Sequence, residues 1–242
     1  MKTVLPFLLL AILLPVSCDG NNGGYSTNHS IVNEPVSVEK RTVPPFKSVS
    51  FNGVGSVKIK KGKSDFIVVK ADPGIIDKVK TEVKGDTLEI GLDNIFDTFN
   101  HSIEIEIRMP SIEEISLLGA GSIFMEEQMT SEYLRVIMSG TGIISINCQS
   151  QTIDAEIRGA GNIYFKGTTD LLKILHTGLG RVDAFDLLAQ RVQCSLMGAG
   201  ECQLNVVKTL NIQLTGLGKV TYKGKPEVTQ QITGLGSIQN IE

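Results

Sequence analysis

Beyond about residue 45, apolar and polar residues alternate along most of the chain, and pairs of glycines one residue apart break the alternation at intervals. Eight Gly-x-Gly units begin at Gly53, Gly119, Gly140, Gly159, Gly178, Gly198, Gly216 and Gly234; from the second onward the intervals are 21, 19, 19, 20, 18 and 18 residues. A period near 19 held over seven units means a stack of similar structural repeats. Aligned on the first glycine, the repeats share apolar columns. Two residues before it stand Leu117, Met138, Ile157, His176, Leu196, Leu214 and Ile232. Four before it stand Ile115, Val136, Ala155, Ile174, Cys194, Ile212 and Gln230, and four after it Ile123, Ile144, Ile163, Val182, Cys202, Val220 and Ile238. The intervening positions are mostly polar: Arg135, Asp154, Lys173, Gln193 and Asn211 fill the column five before the glycine.

Period two on both sides of each glycine pair predicts two half-buried strands meeting at a corner, and it excludes helix. The first unit follows the same parity, with Val49, Phe51, Val57 and Ile59 inward. Glycine weakens a strand interior, so its recurrence needs a geometric cause. A corner supplies one, through left-handed backbone angles or close approach of the coil above or below. The expected fold is therefore all-β: a single-stranded parallel β-helix with Gly-x-Gly corners every 18–21 residues. It is expected to be right-handed, as crossovers between parallel strands nearly always are. A left-handed hexapeptide helix would need coil lengths in multiples of six, which 19, 20 and 21 break.

The residue between the glycines reads Val54, Ala120, Thr141, Ala160, Leu179, Ala199, Leu217 and Leu235, seven of the eight apolar. Either the corner tucks this residue inside, or one edge of the solenoid carries an apolar ridge. An exposed Leu179, Leu217 and Leu235 would make that edge a candidate surface for a homo-oligomer or partner docking. Between Gly62 and Pro110 the pattern loosens. "DFIVVKA", "DTLEIGL" and "SIEIEIRM" read as strands, either of first coils with longer excursions or of a small cap.

The start of the chain is different. Lys2 precedes an eleven-residue apolar run, Val4 to Leu14, which is too short to span a bilayer but suits a secretory signal. Ser17 directly before Cys18 resembles the cleavage box of bacterial lipoproteins, although Pro15 departs from its usual aliphatic residue. The expectation is a signal peptide over 1–17 and lipid attachment at Cys18, anchoring the protein in the outer membrane. A polar tether over 18–45 and a β-helix head over 46–242 would follow.

Candidate chemistry is sparse. Charge is balanced at −3 and no basic stripe is interleaved with aromatics, so nucleic acid is not an expected partner. Asp154 and Glu156 alternate on one outward strand, but neighbouring repeats place Arg135 and Lys173 beside Asp154, which reads as a neutralised ladder. "EIEIR" (Glu104 to Arg108) reads as a sheet face. Calcium-binding nonapeptide repeats would put Asp two residues after the second glycine, where this chain has core residues. His29, His101 and His176 are isolated, and His176 alone occupies an inward column, where a backbone carbonyl or water would satisfy it. Cys194 and Cys202 fall on inward columns flanking one corner, as buried thiols or, if the two sheets approach closely, a disulfide; Cys148 is several coils away. No catalytic, cofactor or metal site is expected. The rival reading is a carbohydrate-active β-helix enzyme, such as a polysaccharide lyase or hydrolase.

The lipoprotein-type start, "PPFKSVSFNGVGSVKIKKG", and the serial "LLGAGSI", "MSGTGII", "IRGAGNI", "LMGAGEC" and "LTGLGKV" together resemble the auto-transporter adhesin head GIN domain family, found in Bacteroides-type envelope lipoproteins. The resemblance covers roughly 45–242. It implies a pectin-lyase-like β-helix and an adhesive role on the cell envelope, and it brings no catalytic residues. The expected partners are the membrane, through the N-terminal lipid, and a surface glycan or protein.

Overall fold

The computed structural model describes residues 36–63, 66–92 and 102–242. Seventeen strands join into one continuous hydrogen-bonded sheet system among these residues. The first seven are β1 (Ser37–Thr42), β2 (Ser48–Asn52), β3 (Val54–Lys61), β4 (Phe66–Ala71), β5 (Val79–Lys84), β6 (Thr87–Leu92) and β7 (Ile103–Met109). The regular coils follow: β8 (Glu114–Leu117), β9 (Ala120–Met125), β10 (Met129–Met138), β11 (Ile143–Ile157), β12 (Asn162–His176), β13 (Arg181–Gly198) and β14 (Glu201–Gly216). Then come β15 (Lys219–Lys223), β16 (Glu227–Gly234) and β17 (Ser237–Asn240).

From β8 onward each strand pairs in parallel with the strand one repeat later, so the chain is a β-solenoid. The columns counted from the glycines are the columns of the structure. Ile123, Ile144, Ile163, Val182, Cys202, Val220 and Ile238 are successive Cα partners. Ile115, Val136, Ala155, Ile174, Cys194, Ile212 and Gln230 form the matching column on the facing sheet. Every residue of these two columns up to Val220 and Ile212 is buried. Two inward faces packed this way remove apolar side chains from water along the stack up to its last coil, at about 25 cal/mol per Å².

The loosened region resolves into a coil placed out of sequence order plus a cap. Strands β6 and β7 stack under β2 and β3, and β8 and β9 stack on their other side. The spatial column therefore runs Ile105, Val57, Ile123, with the earlier residue in the middle. Reading these residues as coils in chain order does not hold. Below that coil the sheets change direction. Strand β4 runs antiparallel to β7, β1 runs antiparallel to β4, and β5 forms a hairpin with β6 through Gly85, whose φ of +60° suits the tight turn. The outer strands carry Glu39, Lys40 and Arg41, and Lys80, Glu82 and Lys84, charges that discourage edge-to-edge pairing.

Two further expectations need correction. Residues 18–45 are not tether throughout, because β1 is paired along its length with β4 from Ser37. The inward columns are also not buried to the last coil. Ile232 is 44% exposed and Gln230 is exposed, because no described strand stacks beyond β16.

Candidate interaction surfaces

The Gly-x-Gly corners stay hydrogen-bonded from coil to coil. The N–H of the middle residue donates to the carbonyl of the first glycine one coil below: Thr141 to Gly119 (3.1 Å), Ala160 to Gly140 (3.2 Å), Leu179 to Gly159 (3.2 Å), Leu217 to Gly198 (2.8 Å) and Leu235 to Gly216 (2.9 Å). Pairing fixes the direction of the side chain between the glycines, and it points outward. Leu179 is 72% exposed, Leu217 67% and Leu235 86%. Of the two possibilities open in the sequence, the apolar ridge is the one found. The glycines permit it in two ways. A Cβ on Gly159 would lie 1.9 Å from the Gly140 carbonyl oxygen, so the backbones themselves occupy that space. Gly198 has room, but its φ of +121° disfavours any L side chain.

His176 is fully buried against this edge. Its Nδ1 accepts from the Gly178 N–H (3.2 Å), so Nε2 carries the proton and donates it to the Gly180 carbonyl (2.8 Å). The ring thus braces both glycines of its own corner. Burial holds its pKa below the ordinary histidine value, with the Gly180 bond opposing in part. His29, His101 and Cys18 lie outside the described residues.

The polar faces are ion-paired surfaces. Glu104 of β7 accepts from Lys58 and from Lys70 (2.8 Å), which hold its carboxyl below the usual carboxylate range. Arg135 lies 3.8 Å from Glu114 and 3.6 Å from Glu156, and Arg135, Asp154 and Lys173 are in register on neighbouring strands. Cys148, Cys194 and Cys202 are free, buried thiols. Burial alone pushes Cys148 up to about 12, and the adjoining Cys194 thiol together with burial raises Cys202. Raised thiols are poor nucleophiles. Among the described residues, no three His, Cys, Asp or Glu side chains converge to hold a metal ion.

The second corner of each coil, on the other edge, was not singled out in the sequence. In three consecutive coils it is built on hydroxyls, and the column continues with Ala189 and Val206. Ser131, Ser150 and Thr169 are Cα partners in consecutive coils, and each donates to the carbonyl two residues on: Tyr133 (2.7 Å), Thr152 (2.8 Å) and Leu171 (3.2 Å). This bends the strand without breaking the ladder. The signal was present, since the three hydroxyls recur every 19 residues, but no glycine marks it. Above these hydroxyls lies a groove of about 740 Å³. One wall is Thr130, Gln149 and Thr168, consecutive partners; the other is Glu132, Gln151, Asp170 and Gln190, one per coil. Tyr133 stands over it, 46% exposed, with its hydroxyl donated to Asp154 (3.1 Å).

Fold and surfaces define a β-solenoid with one apolar edge and one polar, grooved edge. The chain belongs to the family described as "Putative auto-transporter adhesin, head GIN domain", which matches residues 45–226. Similar solved structures include a putative adhesin from Bacteroides fragilis (24% identity, TM-score 0.78, covering 86% of this chain and 98% of that one). A putative lipid binding protein from Parabacteroides distasonis follows (22%, 0.70, 87% and 98%), as does a putative adhesin from Parabacteroides merdae (18%, 0.69, 87% and 98%). At these identities the likeness is one of fold. No curated protein matches the chain.

Proposed function

We propose that this chain is the binding head of a lipid-anchored outer-membrane protein, adhesin-like in its work and without a catalytic step. The family description supports a place on the cell surface or envelope. The observation that carries the binding reading is the ridge. Leu179, Leu217 and Leu235 stand exposed along one edge within the last four coils, on a scaffold paired strand to strand. Exposed leucines aligned on a rigid edge favour burial against a partner, and a second copy of the chain presents a matching edge. Leu217→Ser with Leu235→Ser is expected to turn a wild-type oligomer into a monomer in analytical ultracentrifugation, with an unchanged circular dichroism spectrum. An oligomer that persists, or a wild type already monomeric, removes the ridge from the reading.

Anchoring has its own test. Cys18 carries the only attachment chemistry that the start of the chain offers. Cys18→Ala is expected to abolish metabolic palmitate labelling and shift the protein out of the detergent phase. Equal labelling of the two forms sinks the lipoprotein reading.

A further inference from the structure

We infer that the groove over the second corner binds an extended, uncharged glycan lying along the solenoid axis; this deepens the reading of the chain as a binding head and rests on it. Three features decide the ligand class. The first is repetition. The walls present one side chain per coil, at the strand spacing of about 4.8 Å, over a length of about 14 Å for three spacings. A linear polymer of similar units matches such rungs better than a compact metabolite does.

The second feature is hydrogen-bonding capacity. The floor hydroxyls of Ser131, Ser150 and Thr169 are already committed to backbone carbonyls. Among the described residues, no hydrogen bond or ion pair engages the side chains of Gln149, Gln151, Glu132 or Asp170. Amides donate and accept, and carboxylates accept, which is the complement of a row of sugar hydroxyls. Tyr133 adds an apolar ring, fixed by its bond to Asp154, on which the C–H face of a sugar can lie.

The third is charge. Glu113, Glu132 and Asp170 line the groove, Glu113 is neutralised by Lys47 at 2.9 Å, and no lysine or arginine is in the lining. A polyuronate, sulfated glycan or nucleic acid would meet two unneutralised carboxylates and no cation. An extended peptide fares worse than a glycan for a different reason. Peptides gain affinity by adding to an open strand edge, and β11 and β12, which carry the middle of the groove, are paired on both sides.

The test uses the full chain in detergent on an array of neutral hexose oligosaccharides, oligouronates, sulfated oligosaccharides and peptides. Neutral oligosaccharides of four or more units are expected to bind. Tyr133→Ala with Gln151→Ala is expected to weaken that binding at least tenfold, while Gln213→Ala, outside the groove, leaves it unchanged. Binding confined to anionic glycans or peptides overturns the inference, as does equal binding by the groove variant. If no glycan binds but the Leu217→Ser, Leu235→Ser pair still disrupts an oligomer, the glycan inference fails and the binding-head reading stands. Release of new reducing ends from a bound glycan overturns both, because the groove is then catalytic.

Discussion

Gly159→Val is expected to lower stability by at least about 3 kcal/mol, whereas Ser145→Val, on the same solenoid, stays within about 0.5 kcal/mol of the wild type. Valine favours strands, so propensity alone predicts the reverse order at the glycine. Geometry decides instead. A Cβ at Gly159 would stand 1.9 Å from the Gly140 carbonyl oxygen and 2.9 Å from that of Ser139. The nearer atom is held in place, because the Gly140 carbonyl is the acceptor for the Ala160 N–H at 3.2 Å. Relief would have to break the ladder at the corner and spread to the coils on either side. Ser145 is half-buried on β11 between Phe124 and Tyr164 in register, where a larger apolar side chain adds cross-strand contact. Urea midpoints of the two variants and the wild type measure the difference. Equal midpoints would mean that the corner relaxes without cost.

The same corner shows why much of this fold is legible in the sequence. A coil stacked on identical coils repeats its constraints, so Gly119, Gly140, Gly159 and Gly178 recur where backbones meet, and inward residues recur at fixed offsets. The out-of-order coil was not legible. Period two in "DTLEIGL" and "SIEIEIRM" says which face is buried but not which strand lies alongside, and β2 accepts β6 as readily as β8. Antiparallel capping by β1 and β4 is likewise a pairing choice, made between strands far apart in the chain. Ile232 was misread for a related reason. Its column is identical to that of Leu214, and only the presence of a neighbour above separates a buried position from an exposed one. The groove escaped because its walls are outward, polar and individually ordinary; Gln149, Gln151 and Asp170 acquire meaning only from register.

His176 makes stability depend on pH, through a ring that is buried in the folded chain and free in the unfolded one. In the unfolded chain the ring takes up a proton near pH 6.5. In the folded chain burial lowers that pKa, so the ring stays neutral to lower pH. Between the two values the unfolded state holds more protons, and stability falls as pH falls; above about 6.5 the contribution is complete. The limiting slope is about 1.4 kcal/mol per pH unit for one group. Glu104, with its carboxyl held low by Lys58 and Lys70, loses its contribution only at more acid pH. His176→Leu removes the titrating group and restores the residue type that fills the column at Leu196 and Leu214. It also takes the acceptor from the Gly178 N–H, which can then return to the pattern of Gly140 and Gly159, donating at 3.3 Å to the coil below. The expected cost at pH 7.5 is therefore about 1 kcal/mol. Between pH 7 and pH 5 the wild type is expected to lose stability faster than His176→Leu, so that the two curves converge or cross. Parallel curves over that window, from urea denaturation at half-unit steps, would show that the ring is protonated in the folded corner and that Nδ1 is not the acceptor that holds Gly178.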